Sequence, residues 1–320
     1  MRVAQFHGPR RGPSLQDPAV PDLFDLARQQ HYPEAALFVV ATPIGNLADI
    51  TLRALHVLTI VDRIAAEDTR NTQQMLTRYG IEKPTLAVHE HNEREAAERV
   101  IEYLRAGERL AYVSDAGTPG VSDPGSRLVE AVRAAGLVVV PIPGASALVT
   151  ALSVAGAWAS SFTFIGFLPA KARQRSDALQ ALAASPHALV FYEAPHRVVD
   201  TVAALAETLG GDRKLLIARE LTKLHEALHV CTLAEGPIFL RADPNRQRGE
   251  FVLVVEGHTV SDDGATNAHD ATLKALLDAL PVSAAVKLAV TLTGAPRNEL
   301  YARALVLKGE SNEDGEQADG

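Results

Sequence analysis

The residues best suited to chemistry lie in short polar stretches that interrupt apolar runs. Tyr112 to Gly125, YVSDAGTPGVSDPG, leaves a short apolar segment (Leu110 to Val113) and enters a loop containing Asp115, Gly117, Pro119, Gly120, Pro124 and Gly125. A helical pattern follows, with Leu128, Val129 and Val132. Strand, glycine loop and helix form ligand sites at the carboxyl ends of strands in open α/β sheets. The loop contains neither G-x-G-x-x-G nor G-x-x-x-x-G-K-[ST], and neither pattern occurs elsewhere in the chain. With Asp115 and no lysine, it suits a ligand that needs close backbone approach and can face a carboxylate, and it suits a phosphate poorly.

A second cluster, Glu67-Asp68-Thr69-Arg70-Asn71, sits where a strand gives way to a helix. Two readings stand side by side. In the first, Asp68 or Thr69 caps the helix and Arg70 pairs with an acid. In the second, the cluster recognises substrate, and Glu67 or Asp68 accepts a proton. His225-Glu226-Ala227-Leu228-His229 matches H-E-x-x-H. That zinc pattern requires both histidines on one helical face. The following His229-Val230-Cys231-Thr232 favours extended chain, which would separate the imidazoles by roughly 13 Å, so the match is read as chance. His89, Glu90 and His91 sit at a strand end and read as a polar rim, because adjacent strand side chains point to opposite faces. No metal site is expected. Lys171, Arg173 and Arg175 form a basic run that either solvates a helix start or contacts a phosphate backbone. Tyr192 to Arg197 and Ala218 to Lys223 also lie at strand ends. Charged loops from both halves of the chain therefore converge on a cleft.

The elements that position these loops alternate. Strands are expected at 37–41, 63–67, 85–89, 110–113 and 137–142, the last of them buried-looking. Helices fall between them, with Asp49 as a plausible cap for the first and Gly80 as a helix-ending glycine. This pattern predicts a doubly wound, mainly parallel sheet. A second series from Phe162 has two late strands, 228–232 and 250–256, with no helix of ordinary length between them, so its sheet should be mixed. Residues 258–269 read as a linker, and three short helices follow. The expected organisation is a disordered extension over 1–35 with room for a short helix around Leu23 to Gln30, α/β domains over 36–156 and 157–258, a helical appendage over 270–308, and a disordered acidic tail over 309–320.

Composition sets further limits. At 47% hydrophobic and 22% charged, the 320 residues read as a globular chain. No apolar run approaches the roughly 20 residues of a membrane helix, and no signal peptide is visible. A single cysteine, Cys231, excludes an internal disulfide framework and fits a reducing cytosol. The net charge is −8; five acids in the last twelve residues leave −3 for the rest. That balance argues against indiscriminate nucleic-acid binding and allows a local basic face.

With these loops laid out, the chain resembles the tetrapyrrole methylase superfamily. More narrowly, it is similar to the bacterial 16S ribosomal RNA (cytidine-2′-O)-methyltransferases. The resemblance is carried by TPIGNLADIT (42–51), AEDTR (66–70), HEHNE (89–93), VSDAGTPGVSDPG (113–125), PIPGASA (141–147), GFLPAK (166–171), FYEAPHR (191–197), ARELTK (218–223) and GEFVLVVEG (249–257). These lie in order across about residues 37–258, and the helical appendage fits as well. The family has HDHNE where Glu90 stands here. The resemblance implies two α/β domains with a cleft between them, S-adenosylmethionine as methyl donor, and a homodimer acting on 16S ribosomal RNA of the small subunit in the cytoplasm, with no membrane partner. Carried over by position, the donor contacts would be Pro43, Asp115, Ala116, Gly117, Thr118, Ser146, Ala147, Tyr192, Glu193, Ala218 and Val252. The implied reaction is methyl transfer to a ribose 2′-hydroxyl of a cytidine in the decoding region, with Glu67 and Asp68 as candidate bases. Arg70, Asn71, Lys171, Arg173, Arg197, Arg219 and Lys223 would position RNA, and Arg246, Arg248, Arg297 and Arg303 would extend that track. Two rival functions remain: methylation of a tetrapyrrole on the same fold, and non-catalytic nucleic-acid binding through residues 271–307.

Overall fold

The period-two pattern of β1 (Ala36–Val40) divides its side chains between two cores. Leu37 joins Leu110 and Tyr112 against helices α4 (Glu93–Arg105) and α5 (Ser126–Ala134). Phe38 and Val40 join Ile64 and Val113 on the other face, against α2 (Leu52–Ile60) and α3 (Thr69–Arg78). A sheet covered on both faces needs near-continuous apolar strands, which is what β2 (Arg63–Ala66) and β4 (Leu110–Val113) supply. With β3 (Thr85–Ala87) and β5 (Val138–Ile142) they form a five-stranded sheet, β3-β2-β4-β1-β5, parallel throughout. The computed structural model describes residues 23–89, 92–258 and 269–316, the last eight of these as backbone only.

The central position of β1 beside β4 matters most for function. It brings the loops after these two strands together at their carboxyl ends, where Thr42 and Gly117 exchange backbone hydrogen bonds of 2.9 and 3.1 Å.

The second sheet contains β6 (Phe162–Phe167), β7 (Ala188–Glu193), β8 (Lys214–Arg219), β9 (Ala227–Thr232) and β10 (Phe251–Val255), in the order β6-β7-β10-β8-β9. It is mixed, as the missing crossover helix required: only β6 and β7 run parallel. One face packs against α7 (Ala172–Leu182), α8 (Val198–Leu209) and the six-residue α9 (Gly236–Arg241). The other face is covered by α6 (Ala147–Ala155), the helix that leaves the first sheet, through Ala151 and Ala155. Because α6 belongs to one series and packs on the other, the two sheets form a single compact unit that ends at Gly257; the chain from His258 forms a second unit.

In that second unit, α10 (Asp270–Leu277), α11 (Val282–Thr293) and α12 (Arg297–Glu316) pack Leu273, Val286, Ala289, Leu300, Ala304 and Leu307 together. The backbone of α12 continues to Glu316, through the start of the expected tail; no proline follows Pro296 to stop it.

Several local expectations need correction. The ordered chain begins before Ala36: α1 (Leu23–Arg28) buries Ala27, and the Tyr32 ring packs on Phe38 and His56. Residues 1–22 lie outside the described residues. Helix α2 is capped by Thr51, whose hydroxyl accepts the Ala54 N–H; Asp49 ends a short 3-10 turn instead. Strand β5 is an exposed edge, with Val138 48% exposed; its apolar sequence is that of an uncovered flank. Among the described residues no helix is long and apolar enough to cross a membrane.

Candidate active site

The loop after β4 is held in shape from beneath. The buried Tyr112 hydroxyl donates to the Pro124 carbonyl at 2.8 Å. Gly125 lies against that ring at φ +114°, and a Cβ there would meet Tyr112 Cε1 at 2.1 Å, so no other residue fits. The amino end of α5 is already occupied: Glu93 Oε1 accepts the N–H groups of Gly125, Arg127 and Leu128 at 3.0, 3.0 and 3.1 Å. A buried carboxylate in that position takes the place of any ligand phosphate. This explains in structural terms why the loop is no phosphate cradle. The role of Glu93 was missed from sequence; the signal was an acid opening α4 beside a loop without a cap residue.

Next to it, the polar cluster after β2 resolves into braces. Asp68 caps α3, with Oδ1 accepting from the Arg70 and Asn71 amides at 2.8 and 3.4 Å, and its other oxygen pairs with the Arg70 guanidinium at 3.1 Å. These bonds, with that to the Arg70 side chain foremost, hold the Asp68 carboxyl below its ordinary range. Asp115 turns toward the same corner, accepting from the Asp68 N–H at 3.2 Å and from Asn71 Nδ2 at 3.0 Å. Glu67 accepts from the Asp115 N–H at 3.4 Å, and burial pushes its carboxyl up, with Asp123 and Asp115 adding to the rise.

Between this corner and the second sheet lies a cavity of about 340 Å³. Ala116, Gly117, Thr118, Ser146 and Ala147 form its wall on the first-sheet side; Tyr192, Glu193, Ala218 and Val252 contribute from the second sheet. Gly117 (φ +81°) lets the main chain come within reach of Ile44, whose Cγ2 lies 3.2 Å from where a Cβ would stand. The Tyr192 hydroxyl accepts the Leu148 N–H at 3.1 Å and ties α6 to the second sheet. Of the expected donor contacts, Pro43 and Asp115 are not in the wall.

The carboxylate of this loop that does face the cavity is Asp123, eight residues further along; Glu193 and Glu250 line it from the second sheet. Burial raises its pKa, opposed by a hydrogen bond from Ser114. Asp115 is first after the strand, and its oxygens accept from the Asp68 N–H and Asn71 Nδ2 at the start of α3. Ile44, Val121, Phe167, Leu221 and Phe251 supply apolar wall that motif spacing did not single out.

Three of the expected RNA cations turn inward. Arg197 Nε lies 3.3 Å from the fully buried Glu193, and its Nη2 donates to the Leu168 carbonyl at 2.6 Å. Glu193 also accepts from the Ala194 N–H at 2.8 Å and the Thr201 hydroxyl at 2.6 Å. Arg219 donates to three main-chain carbonyls. Lys223 lies in the cavity wall between Glu220 at 2.9 Å and Glu250 at 2.7 Å. Arg303 is paired with Asp270 inside the helical unit. Lys171 and Arg173 are exposed at the start of α7, and Arg70 is exposed at α3.

His229 lies on β9, stacked on Phe239, and His225 lies in the turn before it, so the H-E-x-x-H segment is not a helix. Glu90 and His91 are outside the described residues. No group of metal-binding side chains occurs among the described residues.

Residues 36–236 match the family described as tetrapyrrole (corrin/porphyrin) methylases. That span is well over half of the chain, and it contains the first-sheet wall of the cavity together with Tyr192, Glu193 and Ala218 of the second. The chain belongs to the tetrapyrrole methylase family. Residues 263–308 match the RsmI C-terminal HTH domain. The Xylella fastidiosa (strain Temecula1) protein named ribosomal RNA small subunit methyltransferase I is 51% identical over 83% of this chain and 97% of its own length. The Escherichia coli O157:H7 protein of the same name is 46% identical over 86% of this methylase and 96% of its own length. Among solved structures, Thermus thermophilus uroporphyrin-III-C-methyltransferase matches 69% of the chain and 94% of its own, at TM-score 0.51 and 20% identity. The methyltransferase CobJ matches 69% and 93%, at TM-score 0.53 and 23% identity. These two share the fold of this tetrapyrrole methylase.

Proposed function

We propose that this methylase transfers a methyl group from S-adenosylmethionine to a ribose 2′-hydroxyl of a cytidine in the decoding region of 16S ribosomal RNA. The observation that carries the reading is the cavity itself. It is apolar, approached by main chain at Gly117, edged by Asp123 and Glu250, and adjoined by a helix end that Glu93 already fills. A ligand with a flat base, a positive centre and no phosphate fits those walls; a nucleotide di- or triphosphate does not. A relative fold, uroporphyrin-III C-methyltransferase from Thermus thermophilus, is described in complex with S-adenosylhomocysteine. The relatives named for the small ribosomal subunit supply the acceptor class.

When bound, the donor supplies an electrophilic methyl on a sulfonium. Ala116, Gly117, Thr118 and Ala147 would hold it on one side and Tyr192, Ala218 and Val252 on the other, with Glu193 supporting the loop that carries Ala194 and Pro195. A 2′-hydroxyl is a weak nucleophile, so holding it in line contributes much of the acceleration. Its proton needs an acceptor. Asp123 faces the cavity with its proton affinity raised by burial, and it is the base that the geometry favours. Glu67 stands behind it, also raised, while Asp68 is committed to its helix and Arg70. Lys171, Arg173 and Arg70 are among the exposed cations available to RNA phosphates.

A homodimer in the cytoplasm completes the proposal. The exposed edges β5 and β6 and the outer side of α6 leave Val138, Val149, Val154 and Phe162 between 44% and 59% exposed, a surface suited to a second copy. Isothermal calorimetry with S-adenosylmethionine tests the cavity, and transfer of labelled methyl to small subunits tests the acceptor. Binding without transfer to any ribosomal RNA, together with methylation of a tetrapyrrole, would replace the RNA reading.

A further inference from the structure

The strand ends that wall the cavity have a second side. Neighbouring strand residues point to opposite faces. On β8, Ala218 lines the first cavity and Arg219 lines a recess behind it; along the chain entering β10, Arg248 and Gly249 line the recess before Glu250, Phe251 and Val252 line the cavity. The recess has two adjoining hollows of about 420 and 240 Å³ that share Arg219 and Asn245. The larger hollow is lined by Glu220 and Gly249, whose chain neighbours Leu221 and Glu250 line the cavity.

Arg219 builds the rim. Its guanidinium donates to the carbonyls of Asn245, Arg248 and His225 at 3.1, 3.3 and 3.0 Å, pinning the turn before β9 to the loop before β10. The side chains of His225, Asn245 and Arg248 are exposed and have no hydrogen-bonding or ionic partner among the described residues. They are unspent donors, unlike Arg197, Arg219 and Lys223. In the smaller hollow, the His229 ring stacks on Phe239 with centroids 3.5 Å apart and planes 7° apart, and the Arg246 guanidinium sits 4.1 Å from the Phe239 centroid. Single-stranded nucleic acid is bound by such flat π and guanidinium surfaces together with cations for its phosphates.

We propose that this double recess binds the nucleotide adjacent to the one whose ribose enters the first cavity. His225 and Arg248 take its phosphate, and its base lies against the His229–Phe239–Arg246 column. The inference rests on RNA being the acceptor. It adds a subsite beside the cavity and so fixes which ribose reaches the methyl group.

The test is filter binding of 16S ribosomal RNA across a salt series, with calorimetry of S-adenosylmethionine on the same preparations. The variant His225→Ala/Arg248→Ala changes exposed side chains that brace nothing, so its melting temperature should match that of the unaltered protein. It should bind RNA about tenfold more weakly, with the log–log salt slope reduced by about 1 to 2, and bind the donor normally. His229→Ala should weaken RNA binding about fivefold with no change of slope. Wild-type RNA affinity in both variants at every salt concentration overturns the subsite and leaves the first cavity's assignment standing. An unaltered protein that binds the donor and no RNA overturns both.

Discussion

On the first-sheet side of the cavity the wall is main chain and small side chains, shaped by Gly117 and Gly125 and locked by Tyr112 and Glu93. On the second-sheet side the wall depends on charged braces: Glu193 with Arg197 and Thr201, and Lys223 between Glu220 and Glu250. The first wall excludes bulk and phosphate by shape. The second is held at the right distance by ion pairs, of which Glu193–Arg197 and Glu220–Lys223 are mostly buried while Glu250 is exposed. Cations at strand ends are therefore not equivalent to cations for RNA; what counts is whether their donors are already committed.

The contrast breaks most severely at Glu193. Its carboxylate is fully buried, so Glu193→Ala leaves Arg197 and Thr201 without their partner. The expected loss is about 3–5 kcal/mol of unfolding free energy in denaturant titration, with weakened donor binding in whatever protein still folds. Gly117→Val attacks the other wall. The positive φ and the nearness of Ile44 should lower donor affinity about a hundredfold or more by calorimetry, with a much smaller change in melting temperature than at Glu193. Equal effects of the two substitutions on folding would mean that the two walls do not differ as described.

Asp123 sharpens the comparison at the reacting end. Asp123→Asn should lower turnover about a hundredfold while donor affinity changes little. The base works ionised, and burial raises its pKa. Wild-type activity should therefore fall, as pH drops, at a pH above the ordinary aspartate range, and the variant should lose that limb. The same shift makes ionised Asp123 a cost to folding above its raised pKa. The asparagine variant should thus be at least as stable as wild type at neutral pH, the difference vanishing below the ordinary aspartate range. The smallest effect is expected at Arg70, which is 87% exposed beside Asp68. Arg70→Ala should leave the melting temperature nearly unchanged, as expected for an exposed pair, and weaken RNA binding only a few-fold.

Much of the fold was legible because it is written in local periodicity. The alternating apolar runs gave the parallel first sheet, and the short stretch between Thr232 and Glu250 gave the mixed second one. The ends of β4 fall at the expected residues, 110 and 113. What local pattern could not reveal was partnership. Apolar β5 reads the same whether it is central or an edge, and nothing in the α6 sequence says that it covers the other sheet. At the site, the glycine loop and the small residues at 116–118 and 146–147 were found by spacing. The Asp68 cap is local and is one of the two readings the sequence offers. The bonds of Asp115 to Asp68 and Asn71, the place of Asp123 on the cavity, and the contacts of Arg197 with Leu168, Arg219 with Asn245 and Arg248, and Lys223 with Glu250 depend instead on neighbours distant in sequence. A charged residue's type states what it can bond, and only the fold states what it has already bonded.

The most direct test of the account is nucleoside analysis of 16S ribosomal RNA after incubation of small subunits with this protein and isotopically labelled S-adenosylmethionine. The account predicts label in a 2′-O-methylcytidine, abolished by Gly117→Val and sharply reduced by Asp123→Asn. Label on a base, or none in RNA from a preparation that binds the donor, would contradict it.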